Sequence, residues 1–311
     1  MTLTLDPAAV ARARSLGGVG VAWLQLLPGV VDRLADDWGL TMGRSLLGGT
    51  ASWAGLVRCG DGSPAVLKVA LPHGDLGREV AAMLRADGQG YARVLRHDPD
   101  RHAVLLEALG PIPDPAVEGH VALMRRGARV LRVAWSVDRD PDEREAPDED
   151  PKVSVLRALI DDELARIPEP VPVDVVDRAR CLLDRRAEAW DPRRAVVVHG
   201  DAHIGNMLPV LRSRPGAVEG HVLIDPEAFL GDPAYDLGVL VREWTGVLST
   251  SEDPRAEVRD WCRMLADETG VEEQAVWEWG YVERVTSGLH LMGIGLADRG
   301  RPLLDVAARL G

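Results

Sequence analysis

The sequence has 311 residues, 46% of them hydrophobic and 27% charged, enough for one large domain or two lobes around a sizeable core. A formal net charge of −13 would repel a phosphate backbone, so nucleic acid is not an expected partner. A cationic small molecule would be attracted, although solubility alone is an equally good reason for the acidity.

No apolar run approaches the ~20 residues of a membrane span. The opening MTLTLDPAAVARARSLGG does not read as a secretory signal. Cys59, Cys181 and Cys262 are isolated, which argues against a zinc ribbon or a disulfide framework and suits a reducing cytoplasm; a monomer or weak dimer is expected.

In chain order, residues 9–40 are expected to be helical. Leu24, Leu27, Val31, Leu34 and Trp38 recur at helical spacing, with Pro28 opening a second helix. From Leu46 to Cys59 the pattern is strand, small-residue turn, strand. Asp61-Gly62 then turns the chain into a third strand, Pro64–Ala70. A helix is expected over Leu76–Ala86, then strands at Ala92–His97 and Ala103–Glu107. After Gly110 the pattern is helical: 120–136, 152–167, 174–190, and most of 237–309. The segment 138–150, DRDPDEREAPDED, carries eight acidic and two basic residues and reads as a solvated loop, with a docking surface for a cation as the alternative. The fold class expected is α+β and bilobal. The first lobe, 1–107, is small, β-rich and nucleotide-binding, with the leading helices 9–40. The second, 108–311, is larger, mainly helical, catalytic and acceptor-binding.

The chemistry concentrates in 196–237. The apolar run Val196–Val198 ends in His199-Gly200-Asp201-Ala202-His203-Ile204-Gly205-Asn206. Asp225 ends a second apolar strand, nineteen residues after Asn206. Transfer of a phosphoryl group to a hydroxyl needs one carboxylate to orient the hydroxyl and accept its proton. It also needs an amide and a second carboxylate to hold Mg²⁺ on the nucleotide phosphates. Protein kinases space their catalytic Asp and metal-binding Asn in the same way. No GxxxxGK[ST] motif is present, which disfavours a P-loop enzyme.

The segments VVVHGDAHIGNML and VLIDPEAFLGDPAYDLGVLVRE resemble the aminoglycoside phosphotransferase superfamily, in its streptomycin 6-kinase and hydroxyurea-resistance kinase branch. The likeness extends upstream through AWLQLLPGVVDRLADDWGL, the Gly-Thr-Ala-Ser turn, AVLKVALP and HAVLLEALG. The resemblance implies a protein-kinase-like fold, ATP and Mg²⁺ as cofactors, and a small-molecule hydroxyl as acceptor, an aminoglycoside of the streptomycin type. A sugar, an amino alcohol, hydroxyurea, or a non-catalytic nucleotide-binding role are the alternatives. Position by position, Asp201 would be the catalytic base, and Asn206 and Asp225 the Mg²⁺ ligands. Lys68 would contact the α- and β-phosphates and Glu79 would pair with it. Gly49, Thr50 and Ser52 would lie over the phosphates. Glu107 falls in a stretch, Leu105–Leu109, that would meet adenine through its backbone. The sequence lacks GxGxxG, and Asp225-Pro226-Glu227 replaces DFG. His199 is expected to brace the catalytic loop, a zinc site with His203 being the alternative. Asp232 fits a helix cap before Pro233 and is read as a brace of the catalytic loop. Asp236 is read as a brace, with substrate contact as the other reading. Trp244, Trp261, Trp277 and Trp279 are expected either to pack between helices or to line the acceptor pocket.

Overall fold

The computed structural model describes residues 3–49, 51–72, 76–138 and 147–311. It divides into two compact units, Met1–Gly110 with Pro209–Val222, and Pro111–Leu208 with Leu223–Gly311. The expected division at 107/108 did not foresee that Pro209–Val222 belongs with the first unit.

The first unit opens with helices α1 (Pro7–Ser15) and α2 (Gly18–Trp38). Five strands follow: β1 (Thr41–Leu46), β2 (Ser52–Arg58), β3 (Pro64–Ala70), β4 (Val94–Asp98) and β5 (Ala103–Glu107), with helix α3 (Leu76–Ala86) between β3 and β4. The sheet order is β1-β2-β3-β5-β4 and every neighbouring pair is antiparallel. At the β2–β3 hairpin, Gly62 takes φ 82° and Asp61 accepts the Ser63 N–H at 2.9 Å. The 3.6-residue period of α2 and the two-residue period of the strands meet in one core: Trp23, Leu27, Val31 and Leu34 pack with Trp53, Val57, Leu67 and Leu105.

Pro28 does not open a helix; it lies inside α2, ten residues after the helix start. An internal proline costs about 3 kcal/mol through its missing N–H and its clash with the preceding turn. Burial of four large apolar side chains on one face, at about 1.5–3 kcal/mol each, outweighs that. The first strand also starts earlier than expected, at Thr41. Of the acidic run 138–150, residues 139–146 lie outside the described residues, and so does Thr50.

The second unit contains α4 (Pro115–Glu118), α5 (His120–Ala134), α6 (Pro151–Arg166) and α7 (Val173–Glu188). In chain order come strands β6 (Val196–Val198), β7 (Met207–Pro209), β8 (His221–Leu223) and β9 (Phe229–Gly231), of which Pro209 and His221–Val222 fall in the first unit. Helices α8 (Pro233–Arg242), α9 (Thr245–Thr250), α10 (Pro254–Thr269), α11 (Glu273–Gly293) and α12 (Ala297–Leu310) complete the chain. Strands β6 and β9 pair antiparallel, with Val198 opposite Phe229. Strands β7 and β8 form a second ribbon, within which the division between the units falls.

Helix α8 is buried from Ala234 to Val241, so its apolar residues run all round rather than along one stripe. It crosses α11 closely: a Cβ on Gly238 would lie 2.7 Å from the backbone nitrogen of Gly280. Asp236 is the charged residue of that stretch, and it is fully buried.

Candidate active site

In the first unit, β3 carries Lys68 opposite Ala54 of β2 and Val104 of β5. Its ammonium lies 2.8 and 2.9 Å from the two carboxylate oxygens of Glu79. Glu79 reaches it because α3 buries Leu76, Val80 and Met83, which fixes the rotation of the helix. Gly49 sits in the β1–β2 connection, and Ser52 opens β2. Glu107 is already committed. Its N–H donates to the Arg93 carbonyl at 3.0 Å, and its carboxylate accepts the Arg93 N–H at 2.8 Å. The same carboxylate forms a bidentate ion pair with Arg214, which in turn bonds the carbonyls of Gly88 and Tyr91. Neither the N–H nor the carboxylate of Glu107 is therefore open to adenine.

In the second unit, β6 delivers the chain into the loop at His199. Asp236 holds that loop from beneath: it accepts N–H bonds from His199, Gly200 and the Trp135 indole, each at 2.8 Å. The His199 ring is engaged at both nitrogens. Its Nε2 donates to the Ile224 carbonyl at 2.8 Å, because a carbonyl can only accept, and its Nδ1 accepts the Asp201 N–H at 3.2 Å. Neither nitrogen is left for a metal. Among the described residues no group of three or more His, Cys, Asp or Glu could hold one. Gly200 has φ 87°, and a Cβ there would meet the Cβ of Glu227 at 2.7 Å. Only glycine fits.

Asp201 projects between two N–H-bearing side chains, His203 and Arg242. His203 Nε2 lies 3.5 Å from one carboxylate oxygen and Arg242 Nη2 lies 3.8 Å from the other. Gly205 donates its N–H to His203 Nδ1 at 3.0 Å, so the neutral imidazole carries its proton on the nitrogen facing Asp201. Burial pulls the Asp201 carboxyl upward. The His203 hydrogen bond and the charges of His203 and Arg242 more than offset it and hold the group down at about 2. Reciprocally, burial opposes a charged His203, but the Asp201 carboxylate outweighs it and raises His203 above its ordinary value. Arg242 is fixed by Glu283 at 3.2 Å and Ser287 at 2.9 Å, and Glu283 also accepts from the Tyr235 hydroxyl.

Asn206 and Asp225 come together through the backbone: the Ile224 N–H donates to the Asn206 carbonyl at 3.0 Å. The Asn206 amide nitrogen donates to the Asp201 carbonyl at 2.9 Å, and no described residue donates to its amide oxygen. Asp225 sits at φ 57°, a left-handed conformation that Asp tolerates better than most residues. An amide oxygen and a carboxylate are hard donors that fit Mg²⁺, which takes one or two protein oxygens and completes its shell with phosphate and water.

Asp232 caps α8 through the Ala234 N–H at 2.9 Å and accepts the Trp279 indole at 3.0 Å. Trp244, Trp261 and Trp279 are buried core residues. The sequence pattern missed Arg242, Glu283, Tyr235 and Trp135 as parts of the site, and treated His203 only as a metal candidate. For His203 the signal was its place two residues after Asp201; for the rest the signal lies in tertiary contact.

The family model described as aminoglycoside/hydroxyurea antibiotic resistance kinase matches residues 37–295. A streptomycin 6-kinase of Streptomyces glaucescens is 31% identical over 286 residues, 89% of this chain and 86% of that protein. A hydroxyurea phosphotransferase of Kitasatospora aureofaciens is 31% identical over 232 residues, 71% of this chain and 62% of that one. Among solved structures, a choline kinase from Streptococcus pneumoniae aligns with TM-score 0.60 at 14% identity, covering 90% of this chain and 99% of that one. The structure of that kinase with AMP aligns with TM-score 0.56. The α+β, protein-kinase-like fold expected from the sequence is borne out.

Proposed function

From the premise that this chain belongs to the aminoglycoside/hydroxyurea antibiotic resistance kinase family, we propose that it transfers the γ-phosphoryl group of ATP to a hydroxyl of a streptomycin-like aminoglycoside. Kinase chemistry on a hydroxyl group, fed by ATP, follows from the family. The acceptor, the Mg²⁺ requirement and the residue roles are the proposal. The observation that carries it is Asp201, held ionised between His203 and Arg242 on a loop braced from within the core.

In the proposed reaction the acceptor oxygen forms a bond to the γ-phosphorus. The bond from that phosphorus to the β,γ-bridging oxygen breaks, and ADP leaves with the electron pair. A carboxylate held at about 2 is a weak base, so Asp201 orients the hydroxyl early and takes its proton late, once phosphorus has made that oxygen acidic. This timing suits a loose phosphoryl transition state. Asn206 and Asp225 would hold Mg²⁺, which supplies charge neutralisation on the phosphates. Lys68, fixed by Glu79, would bind the α- and β-phosphates. Gly49 and Ser52 would cover the phosphates through backbone N–H groups and a hydroxyl, and His199, Asp232 and Asp236 would serve as braces.

The test is an acceptor panel coupled to ADP release, with streptomycin first and hydroxyurea second, the latter because a relative carries that name. Streptomycin-dependent ADP release that Asp201→Ala abolishes is the expected result. Asp201→Ala should leave nucleotide binding nearly intact. Turnover retained in that variant would overturn the role of Asp201, and turnover only with another acceptor would overturn the substrate.

A further inference from the structure

Lys152 lies in the first turn of α6, far in sequence from the catalytic loop, yet its side chain ends beside it. The ammonium is 2.7 Å from Glu227 Oε2. It also lies 5.0 Å from the ring centre of Phe229, the only phenylalanine of the chain, and 4.9 Å from that of Tyr235. The two rings stand 6.0 Å apart at 63°, so a carboxylate and two aromatic rings enclose the cation on three sides. The Lys152 side chain is 13% exposed. The Glu227 side chain is 49% exposed, so the cation is sheltered by the two rings more than by a desolvated ion pair.

The cage has consequences for the turn it grips. Glu227 stands two residues beyond Asp225, and its N–H donates to the His199 carbonyl at 2.7 Å. A Cβ on Gly200 would come within 2.9 Å of Glu227 Oε2 and 2.8 Å of Phe229, so the turn lies flush against the catalytic loop. Both Asp225 and Ala228, on either side of Glu227, have left-handed backbones, φ 57° and 53°. Non-glycine residues persist in that conformation only where surrounding contacts over-determine it. The Lys152 backbone is anchored in its turn: Asp150 accepts its N–H at 2.8 Å and the Asp232 N–H at 3.3 Å, tying the start of α6 to the start of α8.

We propose that Lys152 is a positioning residue whose ammonium, caged by Glu227, Phe229 and Tyr235, holds the strained 225–229 turn so that Asp225 presents its carboxylate to a divalent cation. The inference rests on reading Asp225 as a metal ligand. Lys152 touches neither the metal nor the phosphates; it acts through Glu227. Partners that orient metal ligands from behind typically change affinity by about 10–100-fold when removed.

The experiment measures Mn²⁺ binding by loss of its free electron-paramagnetic-resonance signal, on the full chain with a non-hydrolysable ATP analogue. Melting temperatures without metal report folding separately. Lys152→Met is expected to weaken Mn²⁺ about tenfold, Glu227→Gln to weaken it similarly, and Lys152→Arg to retain most of the affinity. In Lys152→Ala, which leaves the cage open, added methylammonium is expected to restore binding. Mn²⁺ affinity within about twofold of wild type in Lys152→Met would overturn the proposal. So would a loss that neither Lys152→Arg nor methylammonium repairs, since that marks general disruption. Asp225→Asn separates the two readings. If it binds Mn²⁺ like wild type, Asp225 is not the ligand. If it loses Mn²⁺ while Lys152→Met keeps it, only the positioning role falls.

Discussion

Asp236 is fully buried and accepts three N–H bonds, from Trp135, His199 and Gly200. Burial raises its carboxyl above the ordinary value although those donors favour the charge. Asp236→Ala would leave three buried donors without partners, at about 1–3 kcal/mol each. Partial relaxation and water entry reduce the sum, so a loss of about 4 kcal/mol is expected, a large share of the 5–15 kcal/mol that keeps a typical domain folded. Asp236→Asn is the sharper probe. Its oxygen can replace Oδ2, which serves Trp135 and His199, but its NH₂ then faces the Gly200 N–H. One bond is lost and two donors oppose each other, for about 2 kcal/mol. Because His199 and Gly200 immediately precede Asp201, the same change should shift the carboxylate proposed to meet the acceptor. A misplacement on the order of 1 Å costs about 100-fold in turnover. Urea unfolding of both variants, with kcat measured well below their melting temperatures, tests the reasoning. An Asp236→Asn protein within about 0.5 kcal/mol of wild type and with unchanged kcat would refute it.

Three further outcomes are expected. Asp150 is buried and held up at about 6 against an ordinary 3.8, mainly by desolvation. Its protonated form is favoured by folding, so its contribution is fully present below pH 3.8 and is lost as pH rises through about 6. The difference is about 3 kcal/mol. Asp150→Asn should therefore gain melting temperature relative to wild type between pH 4 and 7, and parallel curves for the two proteins would contradict this. Gly200→Ala forces a side chain onto Glu227 at a backbone angle that disfavours it. It should lower stability by about 2 kcal/mol or more and abolish most turnover, checked by thermal scanning and ADP release. His203→Gln removes both the hydrogen bond and the charge that depress Asp201. In its proposed role Asp201 must be ionised to accept the proton, so the acid limb of the kcat/KM profile should move to higher pH; an unmoved limb would show that another group controls it.

Where chemistry is local, the sequence was readable. The interval from Asp201 to Asn206 and the strand-terminal place of Asp225 pointed to the kinase class to which the family belongs. Helical and strand periods placed Leu76–Ala86 and Pro64–Ala70 at their observed bounds. Pro28 misled because a local penalty was weighed without the core that outweighs it. Glu107 was assigned by its place in a stretch expected to meet the nucleotide, yet Arg93 and Arg214 claim its carboxylate and N–H.

Residue identity and short-range spacing thus determined the reaction class and which groups are proposed to perform it, because a carboxylate, an amide and a second carboxylate on neighbouring turns are what phosphoryl transfer to a hydroxyl requires. Tertiary structure alone decided how those groups are tuned and held. Trp135 reaches Asp236 across 101 residues and Lys152 reaches Glu227 across 75. Arg242 stands beside Asp201 because a buried helix, α8, is locked between Asp232 and Glu283. Burial and long-range approach set these charges and orientations. Neither has a local signature, because each depends on which distant surface the core brings into contact.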